Sequence, residues 1–279
     1  MKFTVLKSVL AFALIGATPA ICQQTSLRSG IDGTFAPHAM PNVKGGLEGF
    51  NIDLVEALGK QLGVKIQVDN VQFSGLVPGL QSGVYDFIAA PVTVNKERAD
   101  SLLFSEGYIN TDFQFAVLKN TPEIKAMDEL KGKTIAVNKG STYDQWARGQ
   151  AEKVGWTVES YGTTVDAVQA VISGRAYAIL LGNTAAAWAV KNNPAIKLSL
   201  INSTGLVFAF PVRKDNLALR EKIDLAIECM KQDGVIAKLH EKWFGIAPDA
   251  KSASVVISPG LGVPDMPGYD PKSHQLSCK

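Results

Sequence analysis

The chain has 279 residues, 46% of them hydrophobic and 19% charged, with a formal net charge of +2. That supports one or two packed cores of roughly 100–200 residues each and excludes wholesale disorder. Residues 1–22 hold Lys2 and Lys7 and no acid, so the rest of the chain carries 26 basic and 26 acidic residues; this balance excludes nucleic acid as a partner, because phosphate contacts need a basic surplus.

In chain order, residues 1–22 read as a secretory signal: two lysines, the short apolar run Val9–Ala17, then small residues, with cleavage after Ala20 or Cys22. The run falls short of the ~20 residues that span a bilayer. A signal of this kind implies a soluble exported protein in the periplasm, an oxidising compartment. Short apolar strands are predicted at Leu27–Ile31, Val64–Val68, Tyr85–Ala90, Thr134–Val137, Thr157–Ser160, Tyr177–Leu181 and Lys197–Leu200. Helices fall between them. Ile52, Val55, Leu58 and Leu62 share one face, with Asn51 as its cap and Gly63 as its stop. Leu76, Val77 and Leu80 form a second, ending at Gly83, and Val165, Val168, Val171 and Ile172 a third, ending at Gly174. Strands alternating with helices argue for α/β architecture with mostly parallel sheets.

The alternation runs twice, over 27–110 and 130–200, with extended segments at Asp112–Lys119 and Gly205–Lys214. Two lobes joined by two crossovers account for this, with the helices Leu217–Gln232 and Val235–Trp243 returning to the first lobe. The expected partition is lobe 1 from 23–110 and 209–250, lobe 2 from 111–208, and a tail from 251–279. The tail is rich in proline and glycine (Pro259, Gly260, Gly262, Pro264, Pro267, Gly268, Pro271) and suits neither a helix nor a central strand. Cys229 and Cys278 either form a bridge that pins this tail or stay as a buried thiol and a loose one. His38, His240 and His274 are scattered, and no Cys/His spacing fits a metal, so neither metal nor cofactor is expected. His38 reads as a solvated loop side chain, with an approach to the mouth of the cleft between the lobes as the alternative.

Several segments carry a resemblance: "LRSGIDGTFAPHAM", "GGLEGFNIDLVEALGKQLGVKIQV", "FSGLVPGLQSGVYDFIAAPVTVNKER", "LLFSEGY", "LKGKTIAVNKGSTY" and "LHEKWFG", in that order over 27–246. Together they resemble the family 3 solute-binding proteins, the polar amino-acid-binding proteins of ABC importers. The resemblance implies a two-lobed, type II periplasmic-binding fold, with two mostly parallel sheets joined by two hinge strands. It also implies a monomer that closes on a small ligand and delivers it to an inner-membrane ABC permease. Arg98 matches the carboxylate-binding position, where a planar guanidinium fork suits a carboxylate. Thr93 and Ala90 match positions offering a hydroxyl with an N–H and a carbonyl. Asp32 and Phe35 match the loop after the first strand, and Phe73 the second aromatic wall. Asn138, Thr142 and Tyr143 match the strand-to-helix turn of the second lobe, whose free N–H groups suit an anion.

Two positions depart from the family pattern. Gly182, followed by Asn183, stands where the family has an Asp for the ligand's ammonium, and Pro91 removes an N–H donor. Either Asp32 and carbonyls take over the ammonium, or the ligand lacks a primary one. The expected ligand is therefore an amino acid or a carboxylate-bearing derivative such as an opine or a lactam. Two rival readings are an enzyme of the cyclohexadienyl-dehydratase type on the same fold, which needs a carboxylic acid in the cleft, and a ligand-binding protein that docks on a sensor.

Overall fold

The structure is a computed structural model and describes residues 26–278. The signal segment therefore lies outside the described residues. Among the described residues no helix is long and apolar enough to cross a membrane. The first half of the chain runs β1 (Ser26–Ile31), β2 (Met40–Pro41), β3 (Leu47–Glu48), α1 (Phe50–Leu62), β4 (Lys65–Asn70), α2 (Phe73–Gln81), β5 (Phe87–Ile88), β6 (Val92–Thr93), α3 (Lys96–Ser101), β7 (Leu102–Phe104) and β8 (Ile109–Leu118). There follow β9 (Thr134–Asn138), α4 (Thr142–Val154), β10 (Thr157–Tyr161), α5 (Thr164–Ile172), β11 (Ala178–Gly182), α6 (Asn183–Asn192), β12 (Ile196–Ala209), β13 (Pro211–Arg213), α7 (Leu217–Gln232) and α8 (Val235–Phe244).

These elements form two lobes, each a sheet with its own core. The first sheet has the order β4-β1-β5-β13-β7 and the second β10-β9-β11-β8-β12-β6. Phe50, Leu54, Leu58, Phe87 and Phe210 are among the side chains that fill the first core, and Phe115, Ile135, Val171 and Leu180 the second. The sheets are mixed rather than mostly parallel. β1 pairs in parallel with β4 and β5, and β9 with β10 and β11, but β13, β8 and β12 join antiparallel. The reason is the crossovers, which bring the chain back against its own direction. β8 and β12 lie side by side, with Phe208 opposite Ile109 and Val207 opposite Asn110, so the two connectors form one ribbon. A ribbon of two paired strands can twist as a unit, which is the geometry of a hinge.

Local chemistry explains most element ends. Gly63 closes α1 at φ 67°, and Gly155 closes α4 at φ 83°, both in the left-handed region where glycine has no steric penalty. Ser141, Thr163 and Asn216 cap α4, α5 and α7 by accepting the backbone N–H three residues on. Asn51 does not cap α1 as expected. The cap position is Gly49 at φ 144°, where a Cβ would stand 2.3 Å from the His38 carbonyl oxygen. The Asn51 side chain turns inward instead, donating to the Ala89 carbonyl (2.7 Å) and the Tyr108 hydroxyl (2.9 Å).

Among the described residues beyond α8 the tail forms no helix and one isolated bridge, Leu261 to Asp270. It is strapped to the first lobe. Ser254 Oγ donates to the Tyr108 carbonyl, Gly262 N to Asp224, and Ser258 N to Glu106. Cys229 and Cys278 are joined by a disulfide with Cα atoms 5.4 Å apart. Under the strap lies a buried ionic cluster. Lys231 Nζ is 3.0 Å from Glu106, and His274 Nε2 is 2.7 Å from Glu228. Asp224 sits beside Arg220, its carboxyl pushed up to about 7 by burial, with the Gly262 N–H opposing that shift.

Candidate functional site

The ends of β1, β6 and β9 and the starts of α2, α3 and α4 converge between the lobes. There the structure brings together Phe35, Phe73, Pro91, Thr93, Arg98, Asn138, Thr142 and Tyr143, joined by Ser141, around a small enclosed cavity of ≈ 20 Å³. Arg98 is held by α3, whose cap Asn95 accepts the Arg98 N–H at 2.9 Å. Its guanidinium donates to the Thr93 carbonyl (3.1 Å) and, across the cleft, to the Gly140 carbonyl (3.3 Å). It stands 5.7 Å from the Phe73 ring centroid, a distance at which the ring face attracts the cation. Among the described residues no carboxylate lies within ion-pairing distance of it. Burial pulls its pKa down to about 10, against the opposing effect of Tyr143 and Glu97, so it stays charged at neutral pH.

From the second lobe, Tyr143 stacks toward Phe35 with centroids 6.4 Å apart. Its hydroxyl is pushed up to about 12, chiefly by burial, with Thr111, Arg98 and Thr93 opposing. The hydroxyls of Tyr143, Thr142 and Thr111 and the Asn138 Oδ1 are all buried without a hydrogen-bond partner among the described residues. Buried polar atoms left unpaired cost about 1–3 kcal/mol each; six more lie in the ionic cluster under the tail, and what sets the cleft apart is that Asn138, Thr142 and Tyr143 line the cavity beside Arg98.

Three predicted residues sit elsewhere. Ala90 is buried in the first core beside the cleft. Asp32 adjoins the cleft, but its carboxylate is fully engaged. Oδ1 accepts from Thr34 N (2.9 Å) and Thr34 Oγ1 (2.6 Å), and Oδ2 from Phe73 N (3.2 Å) and Asn138 Nδ2 (3.1 Å). Asn183 lines a neighbouring crevice of ≈ 400 Å³ with Pro37, Asn110, Thr184, Trp188 and Trp243, and accepts from Asp112 N at 3.3 Å.

His38, expected in solvent, is fully buried between the two cavities. It stacks on Phe35 at 5.4 Å, shares Nδ1 with Asn51 Oδ1 at 3.0 Å, and reaches Thr184 Oγ1 of the other lobe at 2.8 Å through Nε2. Burial lowers its pKa to about 4, with the Asn51 hydrogen bond opposing and the charge of His240 assisting, so the ring is neutral at pH 7. Sequence reasoning also missed Thr111, which a strand pattern does not distinguish from its neighbours. Ser141 was legible as a helix start but not as a cleft residue.

A two-lobed α/β fold with an Arg-centred, aromatic-walled cleft at its hinge defines a small-molecule binding protein of the venus-flytrap kind. The comparisons agree. The model of the bacterial extracellular solute-binding proteins, family 3, matches residues 27–246, and the chain belongs to that family. It is 32% identical over 244 residues to the L-cystine-binding protein TcyJ of Escherichia coli K12, covering 85% of this chain and 90% of that one. Among solved structures, an ancestral arginine-binding protein bound to arginine superposes with a TM-score of 0.76 at 38% identity, over 80% of this chain and 99% of that one. The ancestral amino-acid-binding protein AncCDT-1, a precursor of cyclohexadienyl dehydratase, does so at 0.73 and 31%, over 79% and 96%.

Proposed function

We propose that the chain is the periplasmic binding component of an ABC importer, closing on an amino acid or a carboxylate-bearing, opine-like derivative and presenting it to the permease. The observation that carries this is Arg98: a guanidinium between the lobes, against Phe73, with no acid among the described residues to pair it. A ligand carboxylate supplies that partner and takes the bidentate geometry the fork favours. Phe35 and Phe73 give flat walls, Thr93 a hydroxyl, and the start of α4 at Thr142 adds N–H groups and the positive end of a helix.

The proposed lobe borders fall on the ribbon at Asn110–Asp112 and Val207–Phe210. Contacts such as Arg98 to Gly140 and Asn138 to Asp32 exist only when the lobes meet, so a ligand touching both shifts the population toward closure. Family membership and the amino-acid-binding relatives support import over catalysis. A dehydratase reading needs a free carboxylic acid in the cleft, and Asp32, with four donors on its two oxygens, is poorly suited to supply it. Native mass spectrometry of protein purified without denaturation tests the proposal. A co-purifying small acid is the expected result; a ligand without an acidic group counts against it.

A further inference from the structure

Resting on the reading of the Arg98 cleft as the ligand site, we propose that this cleft selects acids whose nitrogen carries no charge. Such acids are N-acylated or lactam carboxylates, and Tyr143 packed over Gly182 is the device that selects them. The first support is the charge inventory. Arg98 is the one ionic side chain among the residues around the cavity. A zwitterion brings an ammonium as well as a carboxylate, and an ammonium taken out of water needs a counter-charge.

The two buried carboxylates nearest the cavity, Asp32 and Asp144, are committed, and Glu97, whose charge also acts on Arg98, is exposed and accepts from Gln145 Nε2. A carboxylate oxygen has two lone-pair positions, and both oxygens of Asp32 already accept two donors each, two of them from Phe73 N and Asn138 Nδ2. An ammonium at Asp32 would displace a donor, and losing Asn138 would break one of the bonds that hold the lobes together. Asp144, also buried, accepts from Gly140 N (2.9 Å), Arg148 Nε (2.8 Å) and Ser160 Oγ (2.7 Å).

The second support is the corner at Gly182. Its φ of −67° and ψ of 144° suit any residue, so the backbone does not require glycine there. Tyr143 does: a Cβ at Gly182 would lie 2.5 Å from the tyrosine hydroxyl and 3.3 Å from Thr111 Oγ1. The space that a longer side chain at the end of β11 would use is filled by a neutral hydroxyl pair. Both oxygens are buried, and the tyrosine hydroxyl faces the neutral hydroxyls of Thr111 and Thr93 without a well-formed hydrogen bond to either. A hydroxyl can accept from an amide N–H or donate to an amide carbonyl, whereas it offers an ammonium a dipole and no charge.

Isothermal titration with L-pyroglutamate and a set of N-acetyl-L-amino acids, each acetylated acid against its free parent, tests this. The wild type is expected to bind at least one of these blocked acids, and any acetylated acid it binds at least ~100-fold more tightly than the free parent. Tyr143→Phe should weaken that binding about tenfold with an unchanged melting temperature. Gly182→Asp combined with Tyr143→Phe should reverse the preference toward the free amino acid. Equal or tighter binding of the free parent overturns the selection. If Arg98→Ala abolishes that binding, the cleft reading survives. If Arg98→Ala leaves it intact, the cleft reading falls as well. Silence from both panels also counts against the proposal.

Discussion

Two buried polar regions of this molecule use the same kinds of side chain to opposite ends. Under the tail, Lys231 Nζ stands 3.0 Å from Glu106, His274 Nε2 bonds Glu228 at 2.7 Å and Arg220 lies beside Asp224, so acids and bases face one another even though Arg220 Nε and Nη1, Asp224 Oδ1 and Glu228 Oε1 make no hydrogen bond among the described residues. In the cleft, Arg98 meets carbonyl oxygens and an aromatic face and, among the described residues, no acid. Desolvating a charge is costly wherever it happens. A region that settles this internally is structural, and one that leaves it open is poised for a partner.

The comparison breaks first at Lys231. Lys231→Met removes the cation beside Glu106, whose carboxylate is as deeply buried, and should lower stability by about 3–5 kcal/mol in chemical denaturation while ligand affinity stays put. A loss of affinity at constant stability would erase the distinction between the two regions. Next comes the strap itself. The disulfide closes a sequence separation of 49 residues, and loop-closure entropy assigns it about 4 kcal/mol. The Cys229→Ser, Cys278→Ser protein should melt earlier, expose its tail to protease, and bind ligand as before.

His38 sharpens the comparison from between the regions. Its folded pKa of about 4 lies below the unfolded value of 6.5, so the unfolded chain takes up its proton first as pH falls. Stability is therefore held above pH 6.5 and lost as the pH drops toward 4, by about 3 kcal/mol from this residue. The difference between wild type and His38→Gln across that window isolates the effect; parallel profiles would contradict the neutral, interlobe assignment. The smallest expected change is Phe73→Ala. The ring is half-buried against the guanidinium, and its loss should weaken binding by about 1 kcal/mol through lost packing and cation–π attraction. Titration of both proteins measures it.

What the sequence could and could not announce follows from the range of the forces involved. α7 runs over Leu217–Gln232 as its 3.6-residue pattern predicts, because its apolar stripe and its cap Asn216 are local. The strand expected at Tyr85–Ala90 shrinks to the two residues of β5, and β6 is not among the expected strands, since their pairing depends on strands about 60 to 125 residues away. Asn51 carries a good capping side chain, yet a glycine two positions earlier sets the helix start and frees it for the core. His38 looked solvated because its partners, Asn51 and Thr184, lie 13 and 146 residues on. Eight of the proposed site residues come from motifs that sit at strand ends and helix starts, and those ends meet in space. Asn183 follows the same rule of thumb but faces the neighbouring crevice, because α6 begins there and turns its first residues toward Trp243.

The central claim is that the unanswered charge in the cleft is there for a guest. It is tested most directly by titrating Arg98→Ala with the ligand that the wild type retains on purification, alongside its melting curve. The account predicts that affinity falls by ~100-fold or more while the melting temperature holds or rises, since no ionic partner is orphaned and only two carbonyl oxygens lose a donor. Affinity unchanged, or a collapse of the fold in step with the loss of binding, would contradict it.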